Sequence, residues 1–180
     1  MNKNTGRYLL GAVTCVAIAL AAGVSLRTSE AAQGDTVAAR LQRLEDREQI
    51  LELLTAYGAT LDRHDFAAFG QLFAEDAEYG SGPGTPTRGR AAIQAQLEKV
   101  ITSNPSNLPK PNHHLFFDPS IQVDGDRATA HSLGAYTVPD AAGKPMQTTQ
   151  MVFFVAYDDT LVRKGGRWLF QRRIIGSGAP

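Results

Sequence analysis

The feature that most restricts this chain is a change of hydrophobic period part-way along it. From Val37 to Asp62 the segment VAARLQRLEDREQILELLTAYGATLD places Leu44, Ile50, Leu51, Leu54, Gly58 and Leu61 at helical spacing. That spacing predicts one long amphipathic helix with its apolar stripe against a core. After the Pro-rich stretch SNPSNLPKPN the period falls to two, and HHLFFDPSIQV, RATAHSLGAYTV, MQTTQMVFFVAYDDTLVR and RWLFQRRII read as successive strands. Asp124-Gly125 and Gly165-Gly166 supply hairpin turns. Between the two regimes lie a short helix, FAAFGQLF, with Asp65 as its N-cap, a short strand EDAEY, a turning loop GSGPGTPT and a third helix RAAIQAQLEKVI. Helices first and antiparallel strands afterwards define an α+β domain, with helices laid on one face of a curved sheet.

The first residues belong to a different regime. Lys3 and Arg7 precede the apolar run YLLGAVTCVAIALAAGVSL, and the small residues Ser29 and Ala31 follow it. Residues 1–31 therefore read as a signal peptide or, because the run approaches the roughly 20 apolar residues that cross a bilayer, as an uncleaved membrane anchor. A linker over 32–36 leads into a domain over 37–177. The expected location is the periplasm or the extracellular space, or a membrane surface reached through the N-terminal anchor. The one cysteine, Cys15, lies in the apolar run, so the exported part has no disulfide framework and no cysteine metal cluster. Acidic and basic residues balance at 18 each, with no long basic run after the leader. Capture of nucleic acid is not indicated, and membrane contact is expected only through the N-terminal segment.

One acidic residue demands an explanation. At about 100° per residue, Tyr57 and Asp62 fall on opposite borders of the inward stripe. Asp62 also occupies the last helical turn, where the macrodipole disfavours a carboxylate by a few tenths to about 1 kcal/mol. It could cap the turn into RHD or pair with a neighbouring arginine, or it could meet a histidine from PNHHLFFDP. Adjacent strand residues point to opposite faces, so His113 and His114 do not both enter one cavity. A two-histidine metal clamp is thereby disfavoured, H-E-x-x-H is absent, and no metal or other cofactor is expected. One histidine beside a carboxylate is a competent general base, because the acid fixes its tautomer and stabilises its protonated form. A two-residue turn at Asp124-Gly125 would pair His114 with Ala135. His131 would then share the His114 face at a distance of about 13 Å, and Tyr136 would change face unless a bulge near Asp118-Pro119 shifts the register. Alternation likewise sends only one of Arg172 and Arg173 inward.

The segments REQILELLTAYGATLDRHDFAAFGQLFAEDAEY, HHLFFDPSIQVDGDRATAHS and GRWLFQRRII resemble the SnoaL-like family of the nuclear-transport-factor-2-like superfamily. The resemblance implies a cone-like α+β domain in which three N-terminal helices and a curved antiparallel sheet enclose a pocket, assembled as a homodimer or homotrimer. It matches Asp62 to the acid after the first helix in the dehydratase and dehydrochlorinase branch, His114 to its paired histidine and Tyr57 to a pocket tyrosine. Asp118 stands where many relatives have asparagine. His131, Tyr136 and Arg172 are the further substrate-binding candidates. The implied function is a cofactor-independent lyase or isomerase, dehydratase-like, acting on a small apolar molecule. Asp62 would orient His114, Tyr57 would donate to a carbonyl or leaving oxygen, and His131 or Tyr136 would return a proton. An exported protein that binds a small apolar ligand without changing it, or an oligomerisation module, would fit the same patterns.

Overall fold

A computed structural model of the protein describes residues 36–105, 107, 108, 110, 112–139 and 149–176. The leader with Cys15, the first three residues of MQTTQ and the C-terminal four residues lie outside that set. The chain divides into two compact units, Met1–Leu41 and Gln42–Pro180. Of the first, the described part is residues 36–41: Thr36 Oγ1 accepts from the Ala39 N–H at 3.2 Å and starts helix α1, Val37–Asp62. The second unit holds the rest of that helix and every later element. Among the described residues, no helix is long and apolar enough to cross a membrane.

The buried side of α1 carries Asp46, Ile50, Leu53, Leu54, Tyr57, Gly58, Thr60 and Leu61. Leu44, expected in this stripe, is 65% exposed; its place is taken two residues on by Asp46, which is 2% exposed. Burying a carboxylate is costly, and paired donors offset that cost. Asp46 Oδ1 accepts from Arg163 Nη1 at 2.6 Å, Trp168 Nε1 at 3.0 Å and Gln42 Nε2 at 3.3 Å, which ties the helix to the last hairpin of the sheet.

Helix α2, Phe66–Gly70, begins where Asp65 Oδ1 accepts from the Ala68 N–H at 3.0 Å. Strand β1 (Phe73–Ser81) and the two-residue β2 (Thr87–Arg88) bracket the Gly/Pro loop, and α3 (Arg90–Ser103) follows. Four long strands complete the domain: β3 (His113–Asp124), β4 (Arg127–Pro139), β5 (Thr149–Lys164) and β6 (Arg167–Gly176). They form one curved, unclosed sheet in the order β2-β1-β6-β5-β4-β3. The last four strands form an antiparallel meander, with two-residue turns joining β3 to β4 and β5 to β6. The β1–β6 pair is parallel, a departure from the all-antiparallel expectation; the connection between these strands runs through α3 and the whole meander, long enough to permit it.

Of the register shifts in the sheet, two bear on which candidate site residues face the helices. Between β3 and β4 the register shifts between Phe117 and Ser120, with Asp118 at φ +48°. Between β5 and β6 it shifts after Thr160, so that Leu161 pairs with Phe170 but Thr160 pairs with Arg172, leaving Gln171 as the extra residue. Each bulge exchanges the inner and outer faces for the rest of its strand.

Candidate active site

The approach of α1 to β3 is set by a glycine. A Cβ at Gly58 would lie 2.7 Å from His114 Cβ and 2.9 Å from Phe116 Cε2, so only a residue without a side chain lets strand and helix come this close. One turn further on, Asp62 ends the helix and meets the first residues of β3. Its Oδ1 lies 2.6 Å from His114 Nδ1, and its Oδ2 accepts the His114 backbone N–H at 3.0 Å. Both side chains are largely shielded, at 14% and 15% exposure. His113 points the other way and is 61% exposed, with its Nδ1 3.7 Å from Asp62 Oδ2.

One carboxylate thus fixes both the backbone and the ring of His114, and answers the unfavourable helix end with two donors. With Nδ1–H donating to the acid, the neutral imidazole carries its free lone pair on Nε2. His114 lines a cavity of about 300 Å³ between the end of α3, the segment that follows it, and strands β3 to β6. Its walls are mainly apolar, with Val100, Ile101, Phe153, Val155 and Ile175 among them. The Tyr136 ring, also in the wall, stands 4.7 Å from the His114 ring centroid to centroid. Burial, and secondarily the Asp62 charge, pushes the Tyr136 hydroxyl above its ordinary pKa, so it stays protonated and able to donate.

Tyr136 reaches this position because of the Asp118-Pro119 bulge. The hairpin turn is Gly125-Asp126 rather than Asp124-Gly125, and past the bulge His114 pairs directly with Tyr136 instead of with Ala135. The same shift turns His131 outward. It is 53% exposed and pairs with Asp158 at 2.8 Å on the outer face of the sheet, so it does not reach the cavity. Arg172 is also outward, 49% exposed, and 3.6 Å from Glu78. The Gln171 bulge sends Arg173 inward in its place.

Tyr57 is inward but does not line the cavity. Its hydroxyl lies 2.9 Å from that of Tyr79, and its ring packs against Phe69, Phe116, Tyr157 and Phe170. Burial above all holds its phenol far up the pKa scale, and burial raises Tyr79 to about 12. The helical stripe placed Tyr57 at the correct angle about the α1 axis. It carried no information on depth, and the sheet aromatics stand between this ring and the hollow.

A buried ion pair escaped the sequence reading. Arg173 is fully buried, with its guanidinium carbon 4.0 Å from the Tyr57 ring, 4.1 Å from Tyr157 and 4.5 Å from Phe170. Its Nε is 3.4 Å from Asp159 Oδ1, close enough to attract but without hydrogen-bond geometry. Burial pushes the Asp159 carboxyl up to about 6 in spite of Arg173. The signal available was a pair of arginines inside an apolar strand, one of which alternation must bury.

Among the described residues, no group of three or more His, Cys, Asp or Glu is placed to hold a metal ion.

An unclosed sheet backed by helices, with a hollow at one end, is the architecture of the nuclear-transport-factor-2-like class. An NTF2-like protein with a cystatin-like fold from Novosphingobium aromaticivorans superposes with a TM-score of 0.64 at 28% identity, over 81% of this chain and 92% of that one. Within that class the chain belongs to the SnoaL-like family, whose domain matches residues 42–174. An aspartate-to-asparagine variant of a Mycobacterium tuberculosis protein of unknown function superposes at 0.60 with 25% identity, covering 74% of this chain and 72% of that one. A proposed scytalone dehydratase from N. aromaticivorans has the same fold, with a TM-score of 0.60 at 23% identity over 74% of this chain and 84% of its own. No curated protein sequence matches the chain.

Proposed function

We propose that this protein is a cofactor-independent, dehydratase-like lyase or isomerase acting on a small, largely apolar molecule held in the cavity. The observation that carries the reading is the 2.6 Å contact between Asp62 and His114 at the cavity wall. The SnoaL-like family, which includes dehydratases and isomerases, supports it. Fold alone does not select a reaction, so the site must.

The geometry suggests the following division of labour. His114 Nε2 takes a proton from a carbon next to a carbonyl, while Asp62 stabilises the imidazolium that forms. The Tyr136 hydroxyl donates to the carbonyl or leaving oxygen as charge develops there, the role first expected of Tyr57. In an elimination the departing hydroxyl recovers the proton from the imidazolium and leaves as water, and a C=C bond replaces the C–H and C–O bonds. In an isomerisation the same proton returns to a different carbon. The expected export of the chain finds support in the composition of the leader. Self-association through the outer face of the sheet is supported by Leu115, Phe117 and Phe154, which stand 40–45% exposed there.

The test is to incubate wild-type protein with a panel of β-hydroxy carbonyl compounds and follow loss of water by mass spectrometry, beside Asp62→Asn and His114→Gln. Wild-type turnover that falls by roughly 100-fold or more in both folded variants is expected. Undiminished turnover in either would refute the assignment. Tight ligand binding that tolerates Gln at position 114, with no turnover, would make the protein a binder instead.

A further inference from the structure

The elimination chemistry uses the inner wall of the cavity and leaves its mouth without a role. A second, open depression of about 570 Å³ adjoins the cavity, lined by Asp62, Arg63, His64, Lys110, Asn112 and His113. His64, Lys110 and Asn112 line both spaces, so the depression is the outer vestibule of the same site. Its charges are one-sided. Arg63 and Lys110 are cations whose side chains make no ion pair or hydrogen bond among the described residues, and two imidazoles stand beside them. The one carboxylate, Asp62, is already committed to the backbone and ring of His114. Counting Arg63, Lys110 and Asp62 alone, two cations against one acid leave the vestibule one positive charge in excess.

The walls behind are apolar, and their described residues include no acid. His64, at the rim of the vestibule, closes helix α1 as its C-cap, with the following Asp65 N–H donating to Thr60 O at 2.8 Å. It holds a left-handed backbone at φ +59°, unusual for a residue other than glycine, and its ring stacks on Phe66 at 5.7 Å between centroids.

We infer that the substrate is amphiphilic: an apolar body that fills the cavity, joined to a single carboxylate that sits at the mouth between Arg63 and Lys110. The inference rests on the cavity being the ligand site. A monoanion matches the excess of one charge. The carboxylate serves as an anchor and not as the activating group, because a negative charge beside the C–H would oppose proton removal; the activating carbonyl lies elsewhere in the molecule, within reach of Tyr136.

The test uses 2-naphthoate and its neutral counterpart 2-naphthamide, titrated calorimetrically into the full chain and into the Arg63→Gln/Lys110→Gln variant, with thermal melting to confirm folding. Wild-type protein is expected to bind naphthoate about tenfold more tightly than naphthamide, with the preference shrinking as salt rises. The double variant should lose most of that preference through weaker binding of naphthoate, with binding of naphthamide retained. Equal binding of the two probes by wild-type protein, or a preference that survives the double substitution, overturns the inference and leaves the apolar cavity reading intact. Failure of both probes to bind overturns the cavity reading, and this inference with it.

Discussion

Asp62 grips His114 at two points, the ring Nδ1 at 2.6 Å and the backbone N–H at 3.0 Å. An aspartate at the end of one helix therefore sets both where the imidazole is and which of its nitrogens is free. Replacing it with asparagine keeps an acceptor for one of the two donors and removes the charge. In Asp62→Asn, turnover of any substrate found for the site should fall by about 10²–10⁴. Nitrogen-15 NMR of the neutral His114 ring should also change from a single Nδ1–H tautomer to a mixture. A ring spectrum unaltered by the substitution would mean that the carboxylate does not orient this histidine.

Tyr136 and Tyr57 should respond in opposite ways to loss of their hydroxyls. Tyr136→Phe should leave stability within about 0.5 kcal/mol and lower turnover by roughly 10²-fold, the size of a lost oxyanion donor. Tyr57→Phe should leave turnover near wild type and cost about 1–3 kcal/mol, because the buried Tyr79 hydroxyl loses its partner. Steady-state rates and urea denaturation of the two variants would separate the roles.

Gly58 presents a competition between two magnitudes. Alanine gains about 1 kcal/mol of helix propensity over glycine, but a Cβ here would overlap the His114 Cβ and the Phe116 ring. The His114 Cβ is fixed to the backbone and cannot swing away, and overpacking costs typically about 1–3 kcal/mol. Gly58→Ala should therefore be net destabilising by up to about 2 kcal/mol in denaturant titrations, and it should perturb the Asp62–His114 contact. A stabilised variant would show that β3 yields easily at this point.

Asp159 gives a pH dependence whose sign runs against the usual behaviour of a carboxylate. Its folded pKa of about 6 lies above the ordinary value of 3.8, so between these values the folded chain holds a proton that the unfolded chain has released. Its contribution is full below about pH 4 and is lost as pH rises through 6. At about 1.36 kcal/mol for each tenfold change in proton affinity, the loss is at most about 3 kcal/mol. The difference in unfolding free energy between wild type and Asp159→Asn, followed from about pH 4 to 7, should drift in that direction by that order. A flat difference would mean that Arg173 fully compensates the buried carboxylate.

Much of this fold is legible from local signals. Helix α1 shows in its period, and the Asp65 cap in residue type and position, because both depend only on neighbours along the chain. The Asp62–His114 pairing came from family resemblance, with an unfavourable helix end as the physical hint. The unread part has two sources. His131, Tyr136 and Arg172 were misplaced or left open because the one-residue shifts at Asp118-Pro119 and Gln171 reverse alternation beyond them. Tyr57 was matched to a pocket tyrosine by the resemblance, and the helical stripe, which gives direction without depth, held nothing to correct it.

Those one-residue shifts have a wider implication. Each acts as a parity switch: drawing Gln171 into the ladder as an ordinary paired residue would trade the concealed guanidinium for its surface neighbour, and straightening the Asp118-Pro119 kink in the same way would swap which histidine looks inward. The hydrogen-bonded ladder would persist on either side. A scaffold of this kind can gain or forfeit a reactive centre in one evolutionary step while its architecture stays the same.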